Sequence, residues 1–90
     1  MPEVTRFFGI IIRMYRESGG RHSVPHLHAY YQGHTAVYGI DPVICLAGNL
    51  PRRQRRFVEA WMELHQQALA RNWELIDNGE RIEPLPPLRH

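Results

Sequence analysis

The strongest constraint on the fold is a long amphipathic pattern in the second half of the chain, "LPRRQRRFVEAWMELHQQALARNW". Its apolar residues recur at intervals of three and four, which is the spacing of one face of a helix. Pro51 suits the first helical position because its missing N–H would have no partner there. We expect one helix up to Trp73, which then continues, or restarts after a kink, through "NWELIDNG" until Gly79 ends it as a C-cap. The apolar face comprises Phe57, Val58, Trp61, Leu64, His65, Ala68 and Leu69.

Strand patterns fill the first half of the chain. "FFGIIIRMYRE" alternates and is rich in β-branched residues, which predicts one strand. "HLHAYYQ" and "TAVYGID" predict two more strands that form a hairpin across residues 32–34, and "VICLAG" predicts a fourth, short one. The order of elements therefore predicts a two-layer α+β fold: a three- to four-stranded antiparallel sheet with a long C-terminal helix packed on one face.

Ninety residues suffice for one domain, which we place at residues 1–85, with residues 86–90 as an extended tail. The single cysteine, Cys45, cannot form a disulfide within the chain, and its apolar neighbours predict a buried thiol. The N-terminal apolar run is broken by Arg13 and is too short to span a membrane. It also lacks the features of a secretion signal. We therefore expect a cytoplasmic protein with no membrane partner.

The stretch "VPHLHAYY" places two histidines two residues apart. On a strand, His26, His28 and Tyr30 would share one face, while Leu27, Ala29 and Tyr31 would share the other. The second set is the more apolar, so it is the expected core face. The histidine face is then expected to be partly open to solvent or to a partner.

Three interpretations of this pair stay open. The imidazoles could be structural, hydrogen-bonded within the sheet. His26 and His28 could instead bind a transition metal such as zinc or nickel, with His22, His34 or Asp41 as a third ligand. In the third interpretation, His26 or His28 is the general acid or base of a metal-independent endoribonuclease, with Tyr31 beside it and arginines holding phosphate. The first two require no catalysis, and only the second requires a cofactor.

Four arginines, Arg52, Arg53, Arg55 and Arg56, occupy the predicted start of the helix, although the net charge of the chain is only +2. Cations destabilise a helix N-terminus, whose free N–H groups and positive dipole attract anions. The cluster is therefore a candidate phosphate- or carboxylate-binding site. The alternative is a solvated face on which Arg55 pairs with Glu59 one turn further on.

Taken together, "MPEVTRFFGIIIRMYRE", "PHLHAYY", the helix pattern W-x-x-x-H-x-x-x-L-x-x-x-W and "IEPL" resemble the small prokaryotic domain of unknown function DUF4160. The motif falls on Pro25, His26, His28, Ala29 and Tyr31, and the helix pattern on Trp61, His65, Leu69 and Trp73. The resemblance implies a role in toxin–antitoxin-like gene pairs and no established reaction. We expect a binding module rather than an enzyme. Its partner would be a cognate small protein, nucleic acid or both, contacted through the arginines. The alternatives are the endoribonuclease, and a metal-binding or purely structural protein that forms a homodimer.

Overall fold

The computed structural model describes residues 3–15 and 24–89 and shows an antiparallel sheet with two helices. Its strands are hydrogen-bonded in chain order, β1-β2-β3-β4-β5. The strands are β1 (Glu3–Phe7), β2 (Ile10–Arg13), β3 (His26–Tyr31), β4 (His34–Gly39) and β5 (Ile44–Gly48). The helices are α1 (Arg52–Leu64) and α2 (Gln66–Asp77). In the described part of the chain, neither helix combines the length and the apolar character that crossing a membrane requires.

The predicted first strand is in fact a hairpin, which is why the sheet has five strands and not three or four. β1 and β2 pair antiparallel around Phe8 and Gly9, whose φ angles are +51° and +78°. Two successive positive φ angles are the mark of the tight turn that joins twisted strands. The same geometry recurs at Gln32 and Gly33, with φ angles of +43° and +83°, and confirms the predicted β3–β4 hairpin.

The single long helix predicted up to Trp73 is instead two helices, because the backbone at His65 leaves the helical region, with φ −121° and ψ 25°. α1 therefore ends before it and α2 begins after it. The prediction that Leu64 lies on the apolar face is wrong, since it is 71% exposed. The buried residues of α1 are Val58, Trp61 and Met62, and helical periodicity places Leu64 to one side of them. Gly79 is confirmed as the terminating residue. It has φ +73°, and the N–H groups of Gly79 and Glu80 donate to the carbonyls of Ile76 and Leu75.

The core lies between one face of the sheet and the helices. Ile12, Ala29 and Ala36 are successive cross-strand partners on that face, and all three are fully buried. α1 lies over it: the Phe7 and Trp61 ring centroids are 5.8 Å apart. This arrangement confirms the α+β class with a helix layer on an antiparallel sheet.

The C-terminal segment, residues 80–89, forms no helix or strand but is held at several points. The Leu85 N–H donates to the carbonyl of Val4 on β1 at 2.9 Å. The Trp61 Nε1–H donates to the Pro86 carbonyl at 2.8 Å. Leu88 also packs against the core, so the segment crosses β1 and α1.

Candidate functional site

The arginine surface consists of Arg52, Arg53, Arg56 and Phe57, which line an open depression at the start of α1. All three arginines are exposed, and Phe57 is half-buried. The Arg53 guanidinium carbon lies 5.6 Å from the centre of the Phe57 ring, within the range of a cation–π contact. The helix thus presents three cations and one aromatic ring on a single solvent-facing surface.

The positive charge at the start of α1 is not balanced by acidic residues in its first turn. Pro51 stands at the N-cap without a side-chain hydrogen bond, and the first turn contains no acidic residue. Arg55 lies 4.0 Å from a Glu59 carboxylate oxygen, which is the pairing that the alternative, a solvated face, predicted for this one arginine. Within residues 3–15 and 24–89, Arg52, Arg53 and Arg56 form no ion pair. Their charges add to the positive end of the helix dipole, which makes this the part of α1 best suited to an anion.

Phe8 extends the arginine surface and was not predicted as part of it. Its ring centroid lies 4.8 Å from that of Phe57, and 37% of the residue is exposed. A phenylalanine with positive φ is uncommon, since this conformation favours glycine and asparagine. Gly9 within a strand pattern was the available signal for the turn that brings Phe8 to the surface.

The two histidines are buried, in contrast to the open face expected for them. His26 is 7% exposed and His28 is 9% exposed. Their ring centroids are 5.4 Å apart, and Trp73 from α2 lies 5.0 Å from His26. Tyr15 stacks on His28 at 4.7 Å with an interplanar angle of 19°. Aromatic rings distant in the sequence therefore cover the histidine face of β3, which strand periodicity alone predicted to be exposed.

We call the rings of Tyr15, His26, His28, Tyr30 and Trp73 the aromatic cluster. His28 lies parallel to Tyr30 with centroids 6.4 Å apart, and the two tyrosine hydroxyls are 3.4 Å apart. The Nδ1–H of His26 donates to the Val24 carbonyl at 2.9 Å. This bond fixes the orientation of the imidazole ring at the start of β3.

Arg13 belongs to the same face and was not among the predicted site residues. It is the cross-strand partner of His28, and its guanidinium carbon lies 5.4 Å from the Tyr30 ring centre. The alternation in "IIIRMY" indicates this position, because it places Arg13 and Tyr15 on one face of β2 and its extension.

The sheet separates the predicted catalytic set. His28 and Tyr30 point to the face that carries Arg13, as the cross-strand pairing shows. Tyr31 points to the opposite face and packs against the core. The arginine surface lies on that opposite side, since Phe57 of α1 packs against the same core as Tyr31. His26 and His28 therefore do not share one pocket with Tyr31 or with the arginines.

No group of three or more His, Cys, Asp or Glu side chains suited to a metal is found among residues 3–15 and 24–89. His34 pairs with Tyr31 at one end of the β3–β4 hairpin, whereas His26 pairs with Gly39 at the other. Asp41 lies in the exposed turn before β5, and His22 lies outside the described residues. Within the described residues, His26 and His28 thus supply two imidazoles and no third ligand.

Cys45 is exposed, so the expectation of a buried thiol is wrong. It lies on β5, the last strand of the sheet, where every residue is exposed. Its thiol donates weakly to the carbonyls of Ala47 and Gly48 at 3.5 and 3.4 Å. The apolar sequence of β5 had suggested burial, but no further strand or helix in the described part of the chain covers this edge.

One protein-family model matches this sequence. The sequence model of a domain of unknown function, DUF4160, matches residues 9–74, which is more than half of the chain. The chain belongs to the DUF4160 family. No curated protein and no solved structure matches it. The DUF4160 match begins at Gly9 and ends at Glu74, so it includes the arginines of α1 and the whole aromatic cluster, but not β1 or the C-terminal segment.

Proposed function

We propose that this DUF4160 protein is a binding module that contacts single-stranded nucleic acid through the arginine surface. The observation that carries the proposal is the set of three arginines without ion pairs among the described residues, at the positive end of α1, beside two phenylalanine rings. Phosphate binding would use the charges, and base stacking would use the rings.

The arginines are unfavourable for the helix itself. Each cation near a helix N-terminus costs about 0.3–1 kcal/mol at low ionic strength. Arg55 offsets part of this through Glu59, whereas Arg52, Arg53 and Arg56 form no ion pair within the described residues. A bound phosphate would reverse the sign of these interactions, because it would face both the guanidinium groups and the free helix N–H groups.

The phenylalanines favour a single strand over a duplex. Stacking of a base on an aromatic side chain contributes about 1–3 kcal/mol, and every base can stack. Such stacking requires unpaired bases, which a duplex keeps inside. Phe8 is more than a third exposed at the tip of its turn, and Phe57 lies next to it under Arg53. Adjacent arginines and rings are the combination that single-strand-binding surfaces use.

The family resemblance adds a second part to the proposal. A toxin–antitoxin-like gene pair in a prokaryote would supply a cognate small protein as partner, with both proteins in the cytoplasm. The separation of the arginine surface from the buried histidines supports binding over catalysis, because hydrolysis of RNA would need the phosphate-holding and proton-transferring groups in one pocket.

The test is fluorescence anisotropy with labelled single-stranded RNA, single-stranded DNA and duplex DNA. We expect Arg52→Gln/Arg53→Gln to weaken single-strand binding about tenfold or more. The matched control, Arg71→Gln/Arg81→Gln, removes the same charge at a distance from α1 and should bind nearly as well as the native protein. Equal losses in both variants would show that only net charge matters, and would contradict a site on α1.

A second variant isolates the stacking contribution. Phe8→Asn removes the ring but keeps a residue that suits positive φ at this turn, so the hairpin should fold at least as well. We expect weaker single-strand binding without loss of stability, measured by urea unfolding of the same sample. Unchanged affinity in Phe8→Asn would remove base stacking from the proposal and leave a purely electrostatic surface.

The endoribonuclease is a second candidate because the aromatic cluster brings imidazoles, phenols and the Arg13 guanidinium into contact. It is tested by incubating labelled RNA with the protein and following cleavage on a gel. Our proposal predicts no turnover. Cleavage that is lost in His28→Ala and kept in the exposed control His34→Ala would assign an enzyme and overturn it.

A further inference from the structure

The two edges of the sheet differ in how they are protected. β1 carries the charged pair Glu3–Arg6 at 2.8 Å, and the C-terminal segment donates a hydrogen bond to it through Leu85. β5, at the other edge, contains no charged residue and no proline. Charges, prolines and covering segments are the usual means by which proteins prevent strand addition at a sheet edge. Only β1 has them among the described residues.

β5 is also unusually apolar for an exposed strand. Ile44 is 52% exposed and Leu46 is 48% exposed, with Cys45 and Ala47 exposed between and beside them. A bulge at Leu46, where the pairing passes from Cys45 to Ala47, bends the strand but adds no charge. Five residues is an ordinary strand length. The strand therefore keeps the backbone and the apolar side chains that edge-to-edge pairing needs.

We propose that β5 pairs antiparallel with β5 of a second copy of this chain, which joins the two sheets into one across a twofold axis. A second copy would pair the free backbone N–H and C=O groups of β5 in both chains through one contact, as twofold symmetry requires. The uncharged strand meets itself without repulsion of like charges, and the exposed side chains of Ile44 and Leu46 become mutually buried.

The charges that flank β5 complement each other in this arrangement. Asp41 lies exposed in the turn before the strand, and Arg52 follows four residues after Gly48. Antiparallel pairing brings the start of one strand to the end of its partner. Asp41 of each copy therefore lies at the same end of the interface as Arg52 of the other copy, and symmetry makes this match twice.

The first experiment measures molar mass by sedimentation equilibrium over a range of protein concentrations. We expect a reversible dimer in the native protein and a dissociation constant about tenfold higher or more in Leu46→Lys. The control is Leu64→Lys, which changes an even more exposed leucine, on α1, and should leave the dimer intact. A monomer at every concentration, or a dimer that survives Leu46→Lys, would overturn the proposal.

Cys45 reports the interface directly, because it is the only cysteine in the chain and any thiol cross-link must join two copies. A short bismaleimide alkylates two thiols without any redox step, so the product is a covalent dimer. We expect this dimer on denaturing gels for the native protein and Leu64→Lys, and only single-chain adducts for Leu46→Lys. Efficient cross-linking of Leu46→Lys would contradict β5 pairing.

The proposed contact between Asp41 of one copy and the arginine of the other can be tested by charge reversal. This test also separates β5 pairing from nucleic-acid binding. Asp41→Lys alone, and Arg52→Glu alone, each place like charges together and should weaken self-association. Mixed in equal amounts, the two variants should form a heterodimer, because both flanking contacts become attractive again. No recovery on mixing would contradict the antiparallel register, whatever the variants do to nucleic-acid affinity.

Discussion

The indole of Trp61 donates a hydrogen bond of 2.8 Å to the carbonyl of Pro86, which joins α1 to the C-terminal segment. Trp61 is fully buried and contacts the rings of Phe7 and His65. We expect Trp61→Phe to lower the free energy of unfolding by about 1–3 kcal/mol, because it removes the donor and leaves a small void. Urea unfolding followed by circular dichroism measures this. A change below about 0.5 kcal/mol would show that the segment is not held through this bond.

Asn72 secures the same segment from α2. Its side-chain amide donates to the Glu83 carbonyl and accepts from the Glu83 N–H, both at 2.9 Å, and the residue is fully buried. Asn72→Leu would leave both backbone groups of Glu83 without these partners, so we expect a loss of about 2 kcal/mol or more. The control Asn78→Ala, exposed at the end of α2, should change stability by less than about 0.5 kcal/mol. Similar losses in the two variants would contradict this role.

Tyr38 predicts an alkaline dependence of stability. Burial, and then the nearby Glu59 carboxylate that accepts its hydroxyl at 3.2 Å, raise the pKa of Tyr38 well above its usual value. A group whose folded pKa is raised stabilises the protein below its unfolded pKa, near 10, and this contribution is lost as the pH rises further. We expect the free energy of unfolding to fall above about pH 10, by at most about 1.4 kcal/mol per pH unit for this group. In Tyr38→Phe the fall should be shallower, as urea unfolding between pH 8 and 11 would show. Identical profiles would rule out Tyr38 as the cause.

The arginine surface predicts a stability gain on charge reversal. Arg52→Glu should raise the free energy of unfolding by about 0.3–1 kcal/mol at low salt, because an acidic residue suits the helix N-terminus. Arg55→Glu should gain less, since it loses the contact with Glu59 and places a like charge beside it. Thermal unfolding at low and high salt measures both effects, and salt should shrink the gain. Equal gains for the two variants would show that Glu59 does not influence Arg55.

Local sequence chemistry predicted the helix end and one hairpin well. Gly79 suits the left-handed conformation that terminates α2, and Gly33 marks the β3–β4 turn. The β1–β2 hairpin was missed because its turn contains Phe8, a residue that rarely takes positive φ, and the apolar run continues through it. The alternation of β-branched residues therefore predicted one continuous strand, although Gly9 indicated the turn between β1 and β2.

Burial of the site residues could not be predicted in the same way, because it depends on partners distant in the sequence. His26 is covered by Trp73, which lies on a different element and more than forty residues away. Cys45 has an apolar sequence environment but stands on the last strand of the sheet, a position that periodicity does not reveal. The arginines were placed correctly at the start of a helix, since capping and charge patterns are local.

The most direct test of the central claim is the salt dependence of binding to labelled single-stranded RNA. Counterion release by three phosphate contacts predicts a slope of about −2 in a plot of log K against log salt concentration, and Arg52→Gln/Arg53→Gln should reduce its magnitude by about 1.4. Arg71→Gln/Arg81→Gln should keep the native slope. Absence of binding at low salt, or a slope that the Arg52→Gln/Arg53→Gln variant leaves unchanged, would contradict the assignment of the arginine surface to nucleic acid.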